Sequence, residues 1–186
     1  MKRLFIAIPL PQEIASQLAV FAANLNLPLK DPRWVPQQNY HVTALFMGDI
    51  HEEHLSKIQE LIQSLCAQTV PFNLQFRKIS IRPQHAPRMI WAKFETTPDF
   101  TKFVNGLKRL LMPFMAKLPD DYGVDPIPHL TLVRFRADPK IKKFKSQIQD
   151  PDLADIPVQG CQLIASELTP SGPVYTKLAE FEYAKV

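Results

Sequence analysis

Apolar residues recur along this chain in two rhythms, and the switches between them mark out its elements. Residues 3–8 form a short continuous apolar run, the pattern of a buried strand ending at Pro9. Pro11 suits a first helical position, and Ile14, Leu18, Phe21 and Leu25 follow at helical spacing. Residues 39–46 read as a strand closed by Gly48-Asp49. A helix over 52–68 comes next, with Leu55, Ile58, Leu61, Ile62 and Leu65 on one face. Phe72, Leu74 and Phe76 alternate as a strand does, and Ile79 and Ile81 continue past a kink. Residues 88–95 make another strand, and Phe100, Phe103, Val104, Leu107, Leu110, Leu111 and Phe114 give a strongly apolar helix. The loop Pro119-Asp120-Asp121-Tyr122-Gly123 leads to a strand over 129–135. Lysine-rich residues 138–149 read as a surface helix, and two final strands span 157–167 and 173–183, hinged near Pro170-Ser171-Gly172.

Several of these strands are consecutive and joined by short turns (72–82 with 88–95, 157–167 with 173–183). That predicts an α+β fold with antiparallel sheets rather than a doubly wound parallel sheet. Each half of the chain holds a helix adjoining one strand of very similar sequence. The economical arrangement is a bilobal, pseudo-twofold fold in which antiparallel sheets line a central cleft and helices lie outside. No Ser/Gly linker separates the halves, so residues 1–186 read as a single two-lobed domain.

Composition changes this picture little, except through what it excludes. A chain of 186 residues, 46% hydrophobic and 22% charged, is that of a globular protein with a substantial core. A net charge of +4 suits a polyanionic ligand without requiring one. Only five glycines occur, none near another, so neither a P-loop nor a dinucleotide-binding turn can be built. Any phosphate must be held by side chains. Cys66 and Cys161 have no metal-type spacing, which points away from zinc and from a disulfide framework. Met1-Lys2-Arg3 before Leu4-Phe5-Ile6-Ala7-Ile8 imitates a secretory signal, but Pro9, Pro11, Gln12 and Glu13 cut the apolar run short. No run reaches transmembrane length. The expectation is a cytoplasmic protein with no membrane partner, and a monomer.

The similar strands are Tyr40-His41-Val42-Thr43-Ala44-Leu45-Phe46 and Pro128-His129-Leu130-Thr131-Leu132-Val133-Arg134, each a His-x-Thr with an apolar residue at x. On a strand, residues i and i+2 share a face, so each segment presents an imidazole and a hydroxyl together while Val42 or Leu130 enters the core. Two such edges around one cleft supply two proton-transfer groups and two short donors for a small anion. That is equipment for metal-free phosphoester chemistry. The plainer alternative is a pair of half-buried histidines, each satisfied by its own threonine. His51-Glu52-Glu53-His54 looks like a metal motif, but its histidines are three apart where the zincin pattern needs four, and acidic residues are favoured at a helix start. No metal is expected.

These residues resemble the two-histidine phosphoesterase superfamily, and within it the RNA 2′,3′-cyclic phosphodiesterases historically called 2′-5′ RNA ligases. The resemblance runs from Arg3-Leu-Phe-Ile-Ala-Ile-Pro9 and Trp34 through both His-x-Thr blocks. It includes Pro87-Arg88-Met-Ile-Trp91 and ends at Ser166-Glu167-Leu168, Gly172 and Tyr175. Ala44, Met47 and Val133 depart from the usual pattern, which bears on substrate preference more than on chemistry. The resemblance implies hydrolysis of an RNA 2′,3′-cyclic phosphate to a 2′-phosphate without cofactor, His41 matching the general acid, His129 the general base, and Thr43 and Thr131 the phosphate-oxygen donors. The rival readings are 2′-5′ ligation by the reverse chemistry, a non-catalytic RNA- or nucleotide-binding module, and a protein-interaction scaffold. By strand alternation Arg134 falls on the face opposite Thr131 unless the strand twists or ends there, and is a candidate for contact with phosphate. Phe46 and Trp34 are candidates for base stacking, core packing being the default for Phe46. Arg82 and Arg88 are candidate backbone contacts, and Tyr175 a groove residue or a buried tyrosine. Lys140, Lys142, Lys143 and Lys145 read as a solvated helix face, with steering of RNA as the alternative.

Overall fold

The computed structural model describes residues 1–117, 125–170 and 172–185. The expected loop at 119–123 and Ser171 of the expected hinge lie outside the described residues. Strands β1 (Lys2–Pro9), β2 (Arg33–Trp34), β3 (His41–Ile50), β4 (Phe72–Leu74), β5 (Phe76–Arg82), β6 (Met89–Phe94), β7 (His129–Arg134), β8 (Ile156–Val158), β9 (Gly160–Thr169) and β10 (Gly172–Glu182) alternate with helices α1 (Gln12–Ala23), α2 (Leu55–Cys66) and α3 (Pro98–Leu111). One sheet has the order β10-β9-β1-β3, a second β2-β7-β6-β5, and β4 pairs with β8. Every pairing is antiparallel, as the consecutive strand pairs predict.

The chain writes one pattern twice. β1, α1, β3, α2, β4 and β5 are followed by β6, α3, β7, a 3₁₀ helix over Pro139–Gln147, β8 and β9. In both copies two antiparallel neighbours are joined through a helix, and the histidine opens the second strand. The copies exchange their last strands, β5 pairing with β6 and β9 with β1. Their corresponding short strands, β4 and β8, pair with each other about Asn73 and Pro157, which places the pseudo-twofold axis there. Helix α1 packs on β7 and α3 on β3, so each copy's helix supports the other copy's histidine strand. Val42 and Leu130, the x residues, are fully buried in the large apolar core. Each contributes about 1.5–3 kcal/mol by leaving water. Helix α3 is started by Thr97, whose hydroxyl accepts from the Phe100 N–H at 3.2 Å, with Pro98 in the first turn.

Four expectations need correction. The strand of the first His-x-Thr does not stop at Gly48-Asp49 but runs on to Ile50; Gly48 has φ +74° beside a bulge in the pairing with β1. The kink after Phe72-Leu74 is a strand boundary at Gln75, with β4 and β5 in different sheets. The strand over 157–167 likewise divides at Gln159 into β8 and β9, and a Cβ at Gly160 would strike the Phe181 carbonyl. Residues 138–149 are helical, but as 3₁₀ over 139–147. β2, two residues long, carries no periodicity from which to predict it.

Candidate active site

Six side chains expected to do the chemistry or hold substrate come together. His41, Thr43 and Phe46 from β3, and His129, Thr131 and Arg134 from β7, line one cavity of about 610 Å³. The two strands share a sequence of exposures. Histidine and threonine are half-buried, the residue between them is buried, the next two are buried, and the sixth is exposed.

Strict alternation would send that sixth residue away from the cavity. A bulge in each strand prevents this. Ile6 pairs with Leu45 and Ala7 with Thr43, leaving Ala44 extra. Ile90 pairs with Val133 and Trp91 with Thr131, leaving Leu132 extra. One inserted residue reverses the phase of all that follow, so Phe46 and Arg134 return to the side of the threonines. Arg134 is thus not on the opposite face, contrary to the alternation argument, and the reason is this bulge. The core-packing default for Phe46 also fails, since the ring is 42% exposed, with the Arg3 guanidinium 5.1 Å from its centroid.

Both imidazoles are held alike. The Nδ1 of His41 lies 2.8 Å from the Asn39 carbonyl oxygen, and the Nδ1 of His129 lies 2.8 Å from that of Ile127. A carbonyl only accepts, so each Nδ1 carries the proton and donates it, making Nε2 the nitrogen that exchanges protons. The Nε2 of His41 is 3.1 Å from the Thr43 Oγ1, an arrangement in which the hydroxyl donates to the neutral ring.

Their surroundings differ. His41 sits against Phe5 (centroids 4.9 Å) and the edge of Tyr175 (5.6 Å), while His129 stacks on Trp91 at 3.7 Å. Burial holds the His41 imidazole below its ordinary value; the Asn39 carbonyl acts in the opposite sense, and like charge on His129 adds to the lowering. Burial pushes the Tyr175 phenol up while the Arg134 cation draws it down, so these two groups sense each other across the cavity. Trp34 and Tyr175 also line it, as do Phe5 and Asn39.

The remaining candidates are elsewhere. The Arg82 guanidinium lies 5.5 Å from the centroid of Trp91 and outside the cavity; Arg88 is exposed and does not line it. His51 and His54 have ring centroids 6.2 Å apart, with His54 against Phe114; among the described residues no cluster suited to a metal is found. Cys66 and Cys161 are buried free thiols with sulfurs 3.6 Å apart. No helix is long and apolar enough to cross a membrane among the described residues.

Sequence reading missed the carbonyls of Asn39 and Ile127, because a backbone acceptor leaves no mark on residue type. It also missed Phe5 and Trp91 as the rings against the histidines. A signal for Trp91 existed: Met89, Trp91 and Lys93 alternate with buried Ile90 and Ala92, which puts the indole on the accessible face of β6.

Comparison with known proteins agrees over nearly the whole chain. The family model described as LigT-like phosphoesterase matches residues 8–91. A Thermus thermophilus protein named RNA 2′,3′-cyclic phosphodiesterase is 32% identical over 186 residues, spanning 96% of this chain and 89% of that one. An Archaeoglobus fulgidus protein of the same name is 26% identical over 182 residues, 97% and 99% of the two chains. Among solved structures, one from Thermus thermophilus superposes with a TM-score of 0.77 at 29% identity, covering 97% of each chain. Escherichia coli LigT in its apo form gives 0.79 at 22% identity, covering 99% and 98%, a likeness of fold.

Proposed function

Because the chain belongs to the RNA 2′,3′-cyclic phosphodiesterases of the LigT-like phosphoesterase family, we propose that it opens the 2′,3′-cyclic phosphate at an RNA end to leave a 2′-phosphate, the two histidines moving the protons. The whole chain acts as one two-lobed unit in this reading. The observation that carries it is the pair of imidazoles lining one cavity, each with Nδ1 fixed on a carbonyl and Nε2 as the exchanging nitrogen.

The reaction needs a proton taken from water and another delivered to the ribose 3′-oxygen. His129, neutral, accepts the water proton at Nε2 as the hydroxyl oxygen bonds to phosphorus. The phosphorus–O3′ bond breaks, and His41, protonated, gives its Nε2 proton to the departing 3′-oxygen. The ring opens to a 2′-phosphomonoester and a free 3′-hydroxyl. Thr43 and Thr131 donate to the non-bridging oxygens as charge grows there, and Arg134 offsets that charge. His41 must gain its proton in a site that disfavours it. The bound anion supplies the compensation, because an opposite charge within about 4–6 Å favours the protonated ring. Phe46 and Trp34 offer faces for the terminal base.

The test is incubation of an RNA ending in a 2′,3′-cyclic phosphate with the protein in EDTA, followed by identification of the product. A 2′-phosphate formed at an undiminished rate is expected. A 3′-phosphate, or activity that vanishes in chelator and returns with a divalent ion, contradicts the reading.

A further inference from the structure

Beside the first cavity lies a second, of about 470 Å³, lined by Lys78, Ser80, Ile81, Arg82, Gln84, His85, Trp91, Lys93, Ile127, Lys142 and Lys145. Five of these are lysine or arginine and none is a carboxylate. Among the described residues no acidic partner lies within ion-pair distance of Lys78, Arg82, Lys93, Lys142 or Lys145. The crowding shows in Lys93, whose ammonium is held below its ordinary value by burial and then by the charges of Arg77, Lys78 and Arg82, with Glu95 opposing. Glu95 is itself paired with Arg77 at 3.2 Å.

The sheet carries this groove directly to the catalytic strand. Across β5, β6 and β7, Lys78 pairs with Lys93 and Lys93 with His129. Ser80 pairs with Trp91 and Trp91 with Thr131; Arg82 pairs with Met89 and Met89 with Arg134. Residues directly opposite in a ladder share a face. Each row therefore begins in the groove, or at its edge, and ends on a residue of the first cavity.

The other wall comes from the 3₁₀ helix over Pro139–Gln147. With three residues per turn, positions i and i+3 eclipse. Ile141 and Phe144 form the edge turned to the core, Lys142 and Lys145 the edge lining the groove, and Lys140 and Lys143 a third edge outside it.

We propose that this groove holds the phosphates of the RNA strand upstream of the cyclic end, making an oligoribonucleotide a better substrate than a nucleoside 2′,3′-cyclic phosphate. The inference rests on the reading of the first cavity given above. A strand whose last phosphorus lies between His41 and His129 has its preceding phosphates within reach of the rows that start at Lys78 and Arg82. The Arg82 fork matches a phosphate's oxygens, and the lysines supply point charges along the path.

The helix provides its own control. Lys142→Glu/Lys145→Glu and Lys140→Glu/Lys143→Glu change the charge equally, one pair inside the groove and the other outside. KM is measured for a cyclic-ended oligoribonucleotide and for a nucleoside 2′,3′-cyclic phosphate at two salt concentrations. The inner pair is expected to raise the oligomer KM about tenfold and flatten its logarithmic salt slope by roughly 1.4, two single-strand phosphate contacts. The nucleoside KM should hold within about twofold, and the outer pair should change the oligomer KM by no more than about threefold. Equal effects of the two pairs, or none from the inner pair, overturn the proposal. If the wild type turns over neither substrate, the reading of the first cavity fails on its own. The groove is then read by anisotropy of a labelled oligoribonucleotide ending in a 2′-phosphate, where a tenfold loss confined to the inner pair supports it and unchanged binding overturns it.

Discussion

The half-sites around His41 and His129 share a backbone and a His-x-Thr, and differ in what surrounds them. Both histidines open a strand, both donate Nδ1 to a carbonyl two residues upstream, and both are followed by the same bulge. Yet the ladder residue opposite Thr43 is Ala7, while that opposite Thr131 is Trp91. The residue re-aimed by the bulge is Phe46 in one half and Arg134 in the other. One half is aromatic and closed around its imidazole by Phe5 and Tyr175; the other is cationic and continues into a basic groove. The repeated backbone fixes where two protons can be handled. In the proposed reading, the unequal side chains set which imidazole serves which oxygen and from which side the RNA arrives. Divergent surroundings around paired titratable groups are how one site comes to hold an acid and a base.

The largest effects should come from what the halves share. His41→Ala and His129→Ala are each expected to lower kcat by about 10²–10⁴-fold. The double variant should fall short of the product of the two losses, because both act on one phosphorus; single-turnover rates on a cyclic-ended RNA measure this. Full multiplicative losses would mean that the halves work independently. Thr43→Val and Thr131→Val remove one donor each and should each cost about 10²-fold in kcat, read in the same assay.

Smaller effects separate the halves. Arg134→Ala is expected to raise KM about tenfold, with an effect that shrinks as salt increases. Phe46→Ala should raise it by roughly 5-fold or more, about 1 kcal/mol of stacking, with little dependence on salt. Matching salt dependences would erase the contrast. The subtlest expectation concerns pH. His41 in the free protein titrates below its ordinary value because burial disfavours its charge, and an anion in the cavity should move it upward. An acid must be protonated to act, so activity falls as pH rises through its pKa. The alkaline limb for kcat, which reports the complex, should therefore lie at higher pH than that for kcat/KM. NMR titration of the His41 ring with and without inorganic phosphate checks the same shift, and an unmoved resonance would count against it.

Much of this was legible in the residues. Apolar alternation marked the main strands, and two copies of His-x-Thr, each with a buried residue at x, located the paired imidazoles. Other features escaped this reading, each for a physical reason. The bulges at Ala44 and Leu132 depend on pairing with β1 and β6, a tertiary fact, so the return of Phe46 and Arg134 to the cavity could not be read from alternation. The division of 72–82 into strands of two sheets depends on where β8 lies. The 3₁₀ character of 139–147 also escaped, because the one apolar pair there, Ile141 and Phe144, is three apart and fits an α-helix equally well.

The division of labour between the imidazoles is tested most directly by a substrate whose bridging 3′-oxygen is replaced by sulfur. A thiolate leaves without a proton, so a general acid becomes dispensable while a general base does not. His41→Ala is predicted to open this ring within about tenfold of the wild-type rate, with His129→Ala still slower by about 10²-fold or more. Rescue of His129→Ala instead, or of neither variant, would contradict the account.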